Sequence, residues 1–284
     1  MTPADRITIG GEWNVHRLGF GALHMSGPGI WGPPADLTAA HAVLRRALEL
    51  GVELIDTADT YGESEVVIAH ALHPYPFGLL VATKGGLVRE GPEIGEFTPW
   101  PRHGTPEQLR RACESSLRRL RLDCIELYQL HSPDPKVPLE ESLGALTELQ
   151  SEGKVRHLGI SNVTPDELDL ALGCAEIVSV QNAYSVANRE NEAVLERCER
   201  DGLAFIVWHP LGDGQLPLGA PLLREIAERH GATPSQVALA WLLQHSGQIV
   251  AIPGTSSITH LEENMGGAGL KLEADDIAQL DALA

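Results

Sequence analysis

Short apolar runs alternate with amphipathic helical stretches along most of this chain, and that alternation constrains the fold more than any other feature. Each run is four to eight residues long and mostly apolar throughout, which is typical of parallel strands covered on both faces. Eight such runs are predicted as strands: 18–23, 52–55, 79–83, 125–130, 155–160, 177–180, 204–208 and 249–252.

The segments between these runs have the periodicity of amphipathic helices. They are 36–50, 63–72, 105–120, 139–152, 164–172, 189–201 and the pair 221–230 and 233–245, with a last helix predicted at 274–283. Thr105-Pro106 and Thr164-Pro165 are typical helix starts, because threonine caps free amides and proline suits the first turn.

Strand and helix alternating eight times predict an α/β protein, a (β/α)8 TIM barrel, with an N-terminal β-hairpin around Gly10-Gly11 and a C-terminal helix. A doubly wound open sheet is the alternative. It is disfavoured because no third glycine follows Gly19 and Gly21 at the spacing of a dinucleotide-binding turn. A barrel uses roughly 250 residues, so residues 1–284 are expected to form one domain.

The charge balance argues against several partners. With 21 Lys and Arg against 39 Asp and Glu, the formal charge is −18, which disfavours nucleic acid and anionic membranes. No stretch is apolar enough to span a bilayer, and the first ten residues lack a signal-peptide pattern. The four cysteines lack metal-binding spacing, so reduced thiols, a cytoplasmic location and no metal are expected.

Polar residues follow several of the apolar runs, and a barrel gathers the carboxyl ends of its strands at one face. Asp56 and Tyr61 follow the second run, Lys84 the third and His131 the fourth. An ammonium group close to a phenol lowers the pKa of the phenol, and a carboxylate can stabilise the buried ammonium. The four side chains together predict a proton donor that faces a substrate carbonyl.

Each of these residues also has a structural interpretation. Asp56 could cap the next turn, Lys84 could reach solvent from the end of its strand, Tyr61 could pack under a loop, and His131 could be an ordinary rim histidine. Their occurrence at one rim, on three consecutive predicted strands, favours a catalytic site.

Five ordered motifs resemble those of the aldo-keto reductase family. They are Asp-Thr-Ala-x-x-Tyr-Gly at 56–62, Thr-Lys-Gly at 83–85, Leu-Tyr-x-Leu-His at 127–131, Gly-Ile-Ser-Asn at 159–162 and Ile-Pro-Gly-Thr at 252–255. The resemblance implies a barrel that reduces aldehydes and ketones with NADPH, without metal or flavin. It makes Tyr61 the general acid, Lys84 and Asp56 the pair that lowers its pKa, and His131 the residue that orients the carbonyl.

The same resemblance implies a nicotinamide cofactor site. Ser161, Asn162 and Gln181 would hold the carboxamide, and Trp208 would stack on the ring. Residues 210–214 would form the loop under the pyrophosphate, and the helix that follows Gly254 would attract phosphate. The full cofactor set is Gly21, Ala22, Asp56, Ser161, Asn162, Gln181, Trp208, Pro210, Leu211, Gly212, Ile252, Pro253, Gly254, Thr255, Ser257, His260, Glu263 and Asn264.

One position departs from the family pattern. His260 stands where many members have an arginine for the 2′-phosphate, while Thr255 and Ser257 remain as hydroxyl donors. NADPH is therefore the expected cofactor, with NADH as an alternative.

The segments 27–34, 161–165 and 252–257 resemble a bacterial branch that includes pyridoxal reductases, so an aromatic aldehyde such as pyridoxal is a natural substrate hypothesis. Leu23, Trp31 and Trp100 are expected to shape the substrate pocket, together with the long segment 87–103. A cofactor-sensing subunit with little turnover is the alternative function, and a Schiff-base lyase using Lys84 is a third. The oligomeric state and the direction of the reaction stay open.

Overall fold

The computed structural model describes residues 5–93, 100–212 and 220–283. Its strands are β1 Arg6–Ile9, β2 Trp13–His16, β3 Phe20–Gly21, β4 Leu54–Asp56, β5 Leu80–Gly85, β6 Ile125–Leu130, β7 Val155–Ser161, β8 Ile177–Ala183, β9 Ala204–Trp208 and β10 Ile249–Ala251. The helices are α1 Leu37–Glu49, α2 Ser64–Leu72, α3 Pro106–Leu120, α4 Leu139–Ser151, α5 Pro165–Cys174, α6 Glu192–Asp201, α7 Pro221–His230, α8 Pro234–His245, α9 Ile258–Gly266 and α10 Ala274–Asp281.

Strands β3 to β10 form a parallel sheet in chain order, each strand pairing with the next. The two edges of this sheet meet. Leu18 bridges in parallel to Ala251, the Gly19 amide donates to the Ala251 carbonyl at 2.9 Å, and the Ala251 amide donates to the Arg17 carbonyl at 2.9 Å. The sheet therefore closes into the predicted barrel, and the doubly wound alternative is wrong.

The helices start largely as the sequence predicts. Thr164 and Thr233 each form a capping box, with Glu167 and Gln236 respectively, and a proline follows each threonine. Thr105 is also an N-cap residue, but its side chain makes no capping hydrogen bond. None of the helices within the described ranges is long and apolar enough to cross a membrane.

The core has two parts. The larger part lies between the barrel and its helices, and the smaller part lies inside the barrel. The hairpin β1–β2 contributes Ile7, Ile9 and Val15 to the inner part, where they pack with Leu54 and Leu127 of the barrel strands. The hairpin thus covers one end of the barrel, and the opposite end carries the polar residues.

Two predicted elements are shorter than expected. The run 18–23 forms strand only at Phe20–Gly21, because the chain turns at once into a 3-10 helix, Ala22–Met25. The helix predicted at 189–201 begins at Glu192. The residues before it form a tight turn in which the backbones of Ser185 and Asn188 bond reciprocally. The side-chain nitrogen of Asn191, Nδ2, donates to the Ala183 carbonyl.

Candidate active site

A buried ion pair lies at the carboxyl ends of β4 and β5. Lys84 Nζ is 2.5 Å from Asp56 Oδ1 and 2.8 Å from the Thr57 carbonyl oxygen. Burial alone would lower the pKa of Lys84, but Asp56 and Tyr61 together raise it above the ordinary lysine value. A protonated amine is a poor nucleophile, which argues against the Schiff-base alternative.

The second carboxylate oxygen of Asp56 is also fully engaged. Asp56 Oδ2 accepts hydrogen bonds from Gln129 Nε2 at 3.0 Å and from Gln181 Nε2 at 2.8 Å. These donors help offset the cost of burying a carboxylate. Gln181 was expected to hold the carboxamide of a cofactor, whereas in this structure its amide nitrogen donates to Asp56.

Tyr61 lies in the turn after β4, and its hydroxyl oxygen is 3.5 Å from Lys84 Nζ. The same nitrogen is 4.9 Å from the centre of the phenol ring. Burial raises the pKa of Tyr61, and the Lys84 charge opposes this change without cancelling it. The net direction is therefore opposite to the expected lowering, because the sequence shows the lysine but not the degree of desolvation.

His131 follows β6 and faces the same phenol. The rings of His131 and Tyr61 are 5.7 Å apart at 78°. Burial and the nearby Lys84 charge lower the pKa of His131 well below the ordinary histidine value, so the imidazole is neutral at physiological pH. Its Nδ1 is buried and has no hydrogen-bond partner among the described residues.

These side chains open onto a cavity of about 450 Å³ at the carboxyl ends of the strands. Asp56, Tyr61 and His131 line it, while Lys84 lies beneath them, fully buried. The expected cofactor residues on its wall are Gly21, Ala22, Asp56, Ser161, Asn162, Gln181, Trp208, Pro210, Leu211, Ile252, Pro253 and Gly254.

The remaining expected cofactor residues do not line this cavity. They are Gly212, Thr255, Ser257, His260, Glu263 and Asn264. Asn264 is buried in α9, whereas His260 is exposed. Asp213 and Gly214 of the expected pyrophosphate loop lie outside the described residues, as do residues 94–99 of the long segment 87–103.

The cavity wall suits a nicotinamide cofactor. The Asn162 amide nitrogen donates to the His131 carbonyl at 2.9 Å, while Asn162 Oδ1 makes no hydrogen bond within the described ranges and could accept from a carboxamide. Gly21 and Gly254 pack backbone against backbone, since a Cβ on Gly254 would lie 2.6 Å from the Gly21 carbonyl oxygen. Ser257 caps α9, whose first amides are available to an anion.

The substrate side of the cavity differs in part from the expectation. Leu23 and Trp100 line it, but Trp31 is 43% exposed and lines a neighbouring cavity instead. Glu93, from the expected segment 87–103, is also on the wall, as is Ile30, which the sequence did not assign to the pocket.

Gln129, which contacts Asp56, was missed as well. The signal was present in the sequence, because Gln129 is a polar residue within the apolar run 125–130, and it pairs in register with Lys84.

The arrangement of a buried ammonium, a phenol and a neutral imidazole around one cavity can be compared with known families. The sequence profile described as the aldo/keto reductase family matches residues 17–284. The chain belongs to this family. It is therefore an NAD(P)H-dependent oxidoreductase, of a family that acts on small carbonyl compounds.

Two curated relatives match over most of their length. Pyridoxine 4-dehydrogenase of Escherichia coli strain K12 is 43% identical over 290 residues, which is 99% of each chain. An uncharacterized oxidoreductase of Schizosaccharomyces pombe is 44% identical over 273 residues, or 95% of this chain and 87% of the relative.

Solved structures of the family superpose closely. Glycerol dehydrogenase from Gluconobacter oxydans has a TM-score of 0.87 and 27% identity, covering 99% of this chain and 95% of its own. An aldo/keto reductase from Klebsiella pneumoniae, solved with NADP and acetate, has a TM-score of 0.84 and 29% identity, covering 98% of this chain and 95% of its own.

Proposed function

We propose that this protein reduces an aldehyde to the primary alcohol with NADPH, with Tyr61 as the general acid and pyridoxal as the leading candidate substrate. The observation that carries the proposal is the position of Tyr61. Tyr61 lines the cavity, its hydroxyl oxygen lies 3.5 Å from a buried ammonium nitrogen, and its ring lies beside a neutral imidazole. One cavity thus brings together three groups. Tyr61 is the proton donor, Lys84 beneath it stabilises the phenolate, and His131 is a hydrogen-bond donor for the carbonyl.

The bound cofactor would supply a hydride to the carbonyl carbon. The electron pair of the C=O π bond then moves to the oxygen, and Tyr61 donates its hydroxyl proton to that oxygen, which completes the alcohol. The Lys84 ammonium stabilises the phenolate that remains on Tyr61, since it lies 3.5 Å away in a low-dielectric interior. His131, neutral at physiological pH, can donate one N–H to the carbonyl oxygen.

Cofactor orientation would come from residues at the carboxyl ends of β7, β8 and β9. Asn162 Oδ1 can accept from the carboxamide N–H groups, and the half-buried Trp208 offers a flat ring to the nicotinamide. Ser161 donates its hydroxyl to the Gln181 carbonyl at 2.7 Å, which fixes the neighbouring strands β7 and β8.

The raised pKa of Tyr61 bears on the direction of the reaction. Carbonyl reduction needs the protonated phenol, which is the form present at neutral pH. Alcohol oxidation needs the phenolate, which is scarce until the pH is strongly alkaline. Reduction is therefore the direction that this site favours near neutrality.

Two observations support a small aromatic aldehyde as substrate. Trp100 lies 6.0 Å from Tyr61 and 6.4 Å from His131, ring centre to ring centre, so an aromatic wall stands next to the reacting carbonyl. The E. coli relative at 43% identity is named for the oxidation of pyridoxine at its 4-position, and pyridoxal is the aldehyde that corresponds to that alcohol.

Steady-state assays that follow NADPH consumption test the proposal. The purified protein is expected to consume NADPH with pyridoxal and to form pyridoxine in equal amount. A protein that binds NADPH but reduces neither pyridoxal nor any aldehyde of a broad panel would contradict the proposal and favour the cofactor-sensing alternative. Turnover with other aldehydes but not with pyridoxal would refute the substrate alone.

A further inference from the structure

The wall of the cavity next to Trp100 carries a carboxylate that the proposed reaction does not use. Glu93 lines the cavity, and its Oε1 accepts a hydrogen bond from the Trp100 indole nitrogen at 2.7 Å. Asp56 also lines the cavity, but both of its oxygens are engaged by Lys84, Gln129 and Gln181. Glu93 is thus the acidic group available to a substrate on the described part of this wall.

The second oxygen of Glu93 has no partner within the described ranges. No hydrogen bond reaches Oε2, and no lysine, arginine or histidine there forms an ion pair with it. A carboxylate oxygen can accept more than one hydrogen bond, and Glu93 is only half-buried on the cavity wall. A ligand that brings a hydrogen-bond donor or a positive charge can therefore bind to this second oxygen.

Arg89 lies near enough to interact with Glu93: burial lowers the pKa of Arg89, and the Glu93 carboxylate opposes this change. The guanidinium nevertheless makes its hydrogen bonds elsewhere. Its Nη1 donates to the Ile30 carbonyl at 2.7 Å, and its Nη2 donates to the Gly29 and Gly91 carbonyls at 2.8 and 3.1 Å. The guanidinium also lies 4.3 Å from the centre of the Trp100 ring. Arg89 therefore covers Trp100 and ties it to the segment 29–30, rather than neutralising Glu93 in an ion pair.

These contacts fix Trp100 from two sides. The guanidinium covers the ring as a cation–π contact, and Glu93 anchors the indole nitrogen. Trp100 thus lies beside Tyr61 and His131 through its ring and contacts Glu93 through its indole nitrogen. A flat substrate whose carbonyl reaches Tyr61 can place its opposite side near Glu93.

From this arrangement we infer that Glu93 selects the substrate: the site prefers aldehydes that carry a hydrogen-bond donor or a cationic group opposite the carbonyl, and it rejects anionic ones. The inference rests on the proposed function, because it assigns the substrate class of the same cavity. Pyridoxal has donor groups of this kind, but the inference does not depend on pyridoxal being the substrate.

Three matched benzaldehydes that differ only in the substituent opposite the aldehyde test the inference. They are 4-(hydroxymethyl)benzaldehyde, which carries a donor, 4-methylbenzaldehyde, which has similar size without a donor, and 4-carboxybenzaldehyde, which is anionic. A hydrogen bond to a charged group is worth enough to change kcat/KM by about tenfold or more. The expected order for the wild-type protein is hydroxymethyl above methyl by about tenfold, with the carboxylate lowest.

The decisive variant is Glu93→Gln, which keeps a carbonyl oxygen for the Trp100 indole but removes the charge. It is expected to reduce the hydroxymethyl-to-methyl ratio of kcat/KM several-fold and to raise the carboxylate-to-methyl ratio about tenfold. A residue that only holds Trp100 in place would move neither ratio, because the glutamine retains that hydrogen bond. Glu90→Gln is the matched control, since Glu90 is exposed on the same segment and should leave all ratios unchanged.

The outcomes separate the inference from the proposed function. If the wild-type protein reduces all three aldehydes with equal kcat/KM, or if Glu93→Gln changes no ratio, the reductase proposal stands and the role of Glu93 is refuted. If the wild-type protein reduces none of them and no other aldehyde, the proposed function fails and the inference fails with it. Binding of NADPH, followed by fluorescence, shows that each variant is folded.

Discussion

The Lys84 ammonium nitrogen lies 2.5 Å from an oxygen of the Asp56 carboxylate, and both side chains are almost completely removed from solvent. Asp56→Ala would leave that ammonium buried without its counter-charge, and breaking a buried pair in this way costs about 3–5 kcal/mol. The free energy of unfolding, measured by urea denaturation at neutral pH, is expected to fall by this amount, and carbonyl reduction should be lost.

The double variant Asp56→Ala/Lys84→Met distinguishes the ion pair from simple packing. Because methionine needs no counter-charge, the double variant should recover much of the stability lost in Asp56→Ala while remaining inactive. If the double variant is instead destabilised by the sum of the two single-substitution effects, the attraction between the Asp56 and Lys84 charges does not stabilise the fold.

Tyr61→Phe tests the proton donor directly. The substitution removes one oxygen and keeps the ring that packs against Trp100 and His131, so NADPH binding is expected to be retained. General acid catalysis contributes about 10² to 10⁴ in rate, and kcat for aldehyde reduction should fall within that range. Tyr75→Phe is the control, since its hydroxyl donates to the Leu120 carbonyl far from the cavity; unchanged kcat in Tyr61→Phe would contradict the proposed role.

Carbonyl reduction and alcohol oxidation should depend differently on pH. Burial raises the pKa of Tyr61 above its usual value near 10, so the protonated acid persists through neutral and mildly alkaline pH. The kcat/KM for reduction is expected to stay level with respect to this group up to at least about pH 9. The kcat/KM for alcohol oxidation should rise with pH over the same range, as the phenolate becomes available. A reduction rate that falls steeply between pH 7 and 8, and loses that fall in Tyr61→Phe, would show a lowered pKa instead.

The ionisation of Asp59 is expected to make the free energy of unfolding depend on pH. Its Oδ1 is buried without a hydrogen-bond partner among the described residues, and burial and the nearby Glu65 raise the pKa of Asp59 to about 8. In the unfolded chain an aspartate ionises near pH 4. The folded state therefore keeps a proton that the unfolded state has lost, and the protein loses stability as the pH rises from about 4 to about 8.

Asp59→Asn removes this dependence because an amide does not ionise. Relative to wild type, the unfolding free energy of the variant should rise by about 4 kcal/mol as the pH goes from 5 to 8.5. Urea denaturation at several pH values measures the difference, and Asp123→Asn, at an exposed position, provides the control. A constant difference between Asp59→Asn and wild type at all pH values would mean that the carboxyl group ionises alike in both states.

The sequence was enough to predict the barrel because each level of pattern agreed with the others. Apolar runs of strand length, helix starts at Thr105-Pro106 and Thr164-Pro165, and the helical segments between the runs all favour the same architecture. The catalytic candidates were also accessible, since Asp56, Lys84 and His131 stand at the ends of neighbouring strands, and parallel strands bring their carboxyl ends together.

The features of the site that could not be predicted from the sequence depend on side-chain geometry and solvation. The net pKa of Tyr61 depends on the balance of burial and charge, and a neighbouring lysine in the sequence reveals only one of these. Trp31 and Trp100 were equivalent candidates from their positions in loops, yet only Trp100 reaches the cavity. Glu93 lies in the segment 87–103 that was predicted to shape the pocket, but no strand or helix periodicity fixes the direction of its side chain.

His260 provides a test of cofactor preference. It is exposed in the first turn of α9, where its backbone amide donates to the Ser257 hydroxyl and free amides attract an anion. An imidazole makes a weaker contact with a 2′-phosphate than a guanidinium, which binds phosphate through two charge-assisted hydrogen bonds. His260→Arg is therefore expected to raise the ratio of kcat/KM for NADPH over NADH by about tenfold.

The gain from His260→Arg should shrink as ionic strength rises, because salt screens an exposed charge pair. His70→Arg, an exposed histidine on α2, adds the same charge elsewhere and should leave the ratio unchanged; equal ratios in all three proteins would place the 2′-phosphate away from His260.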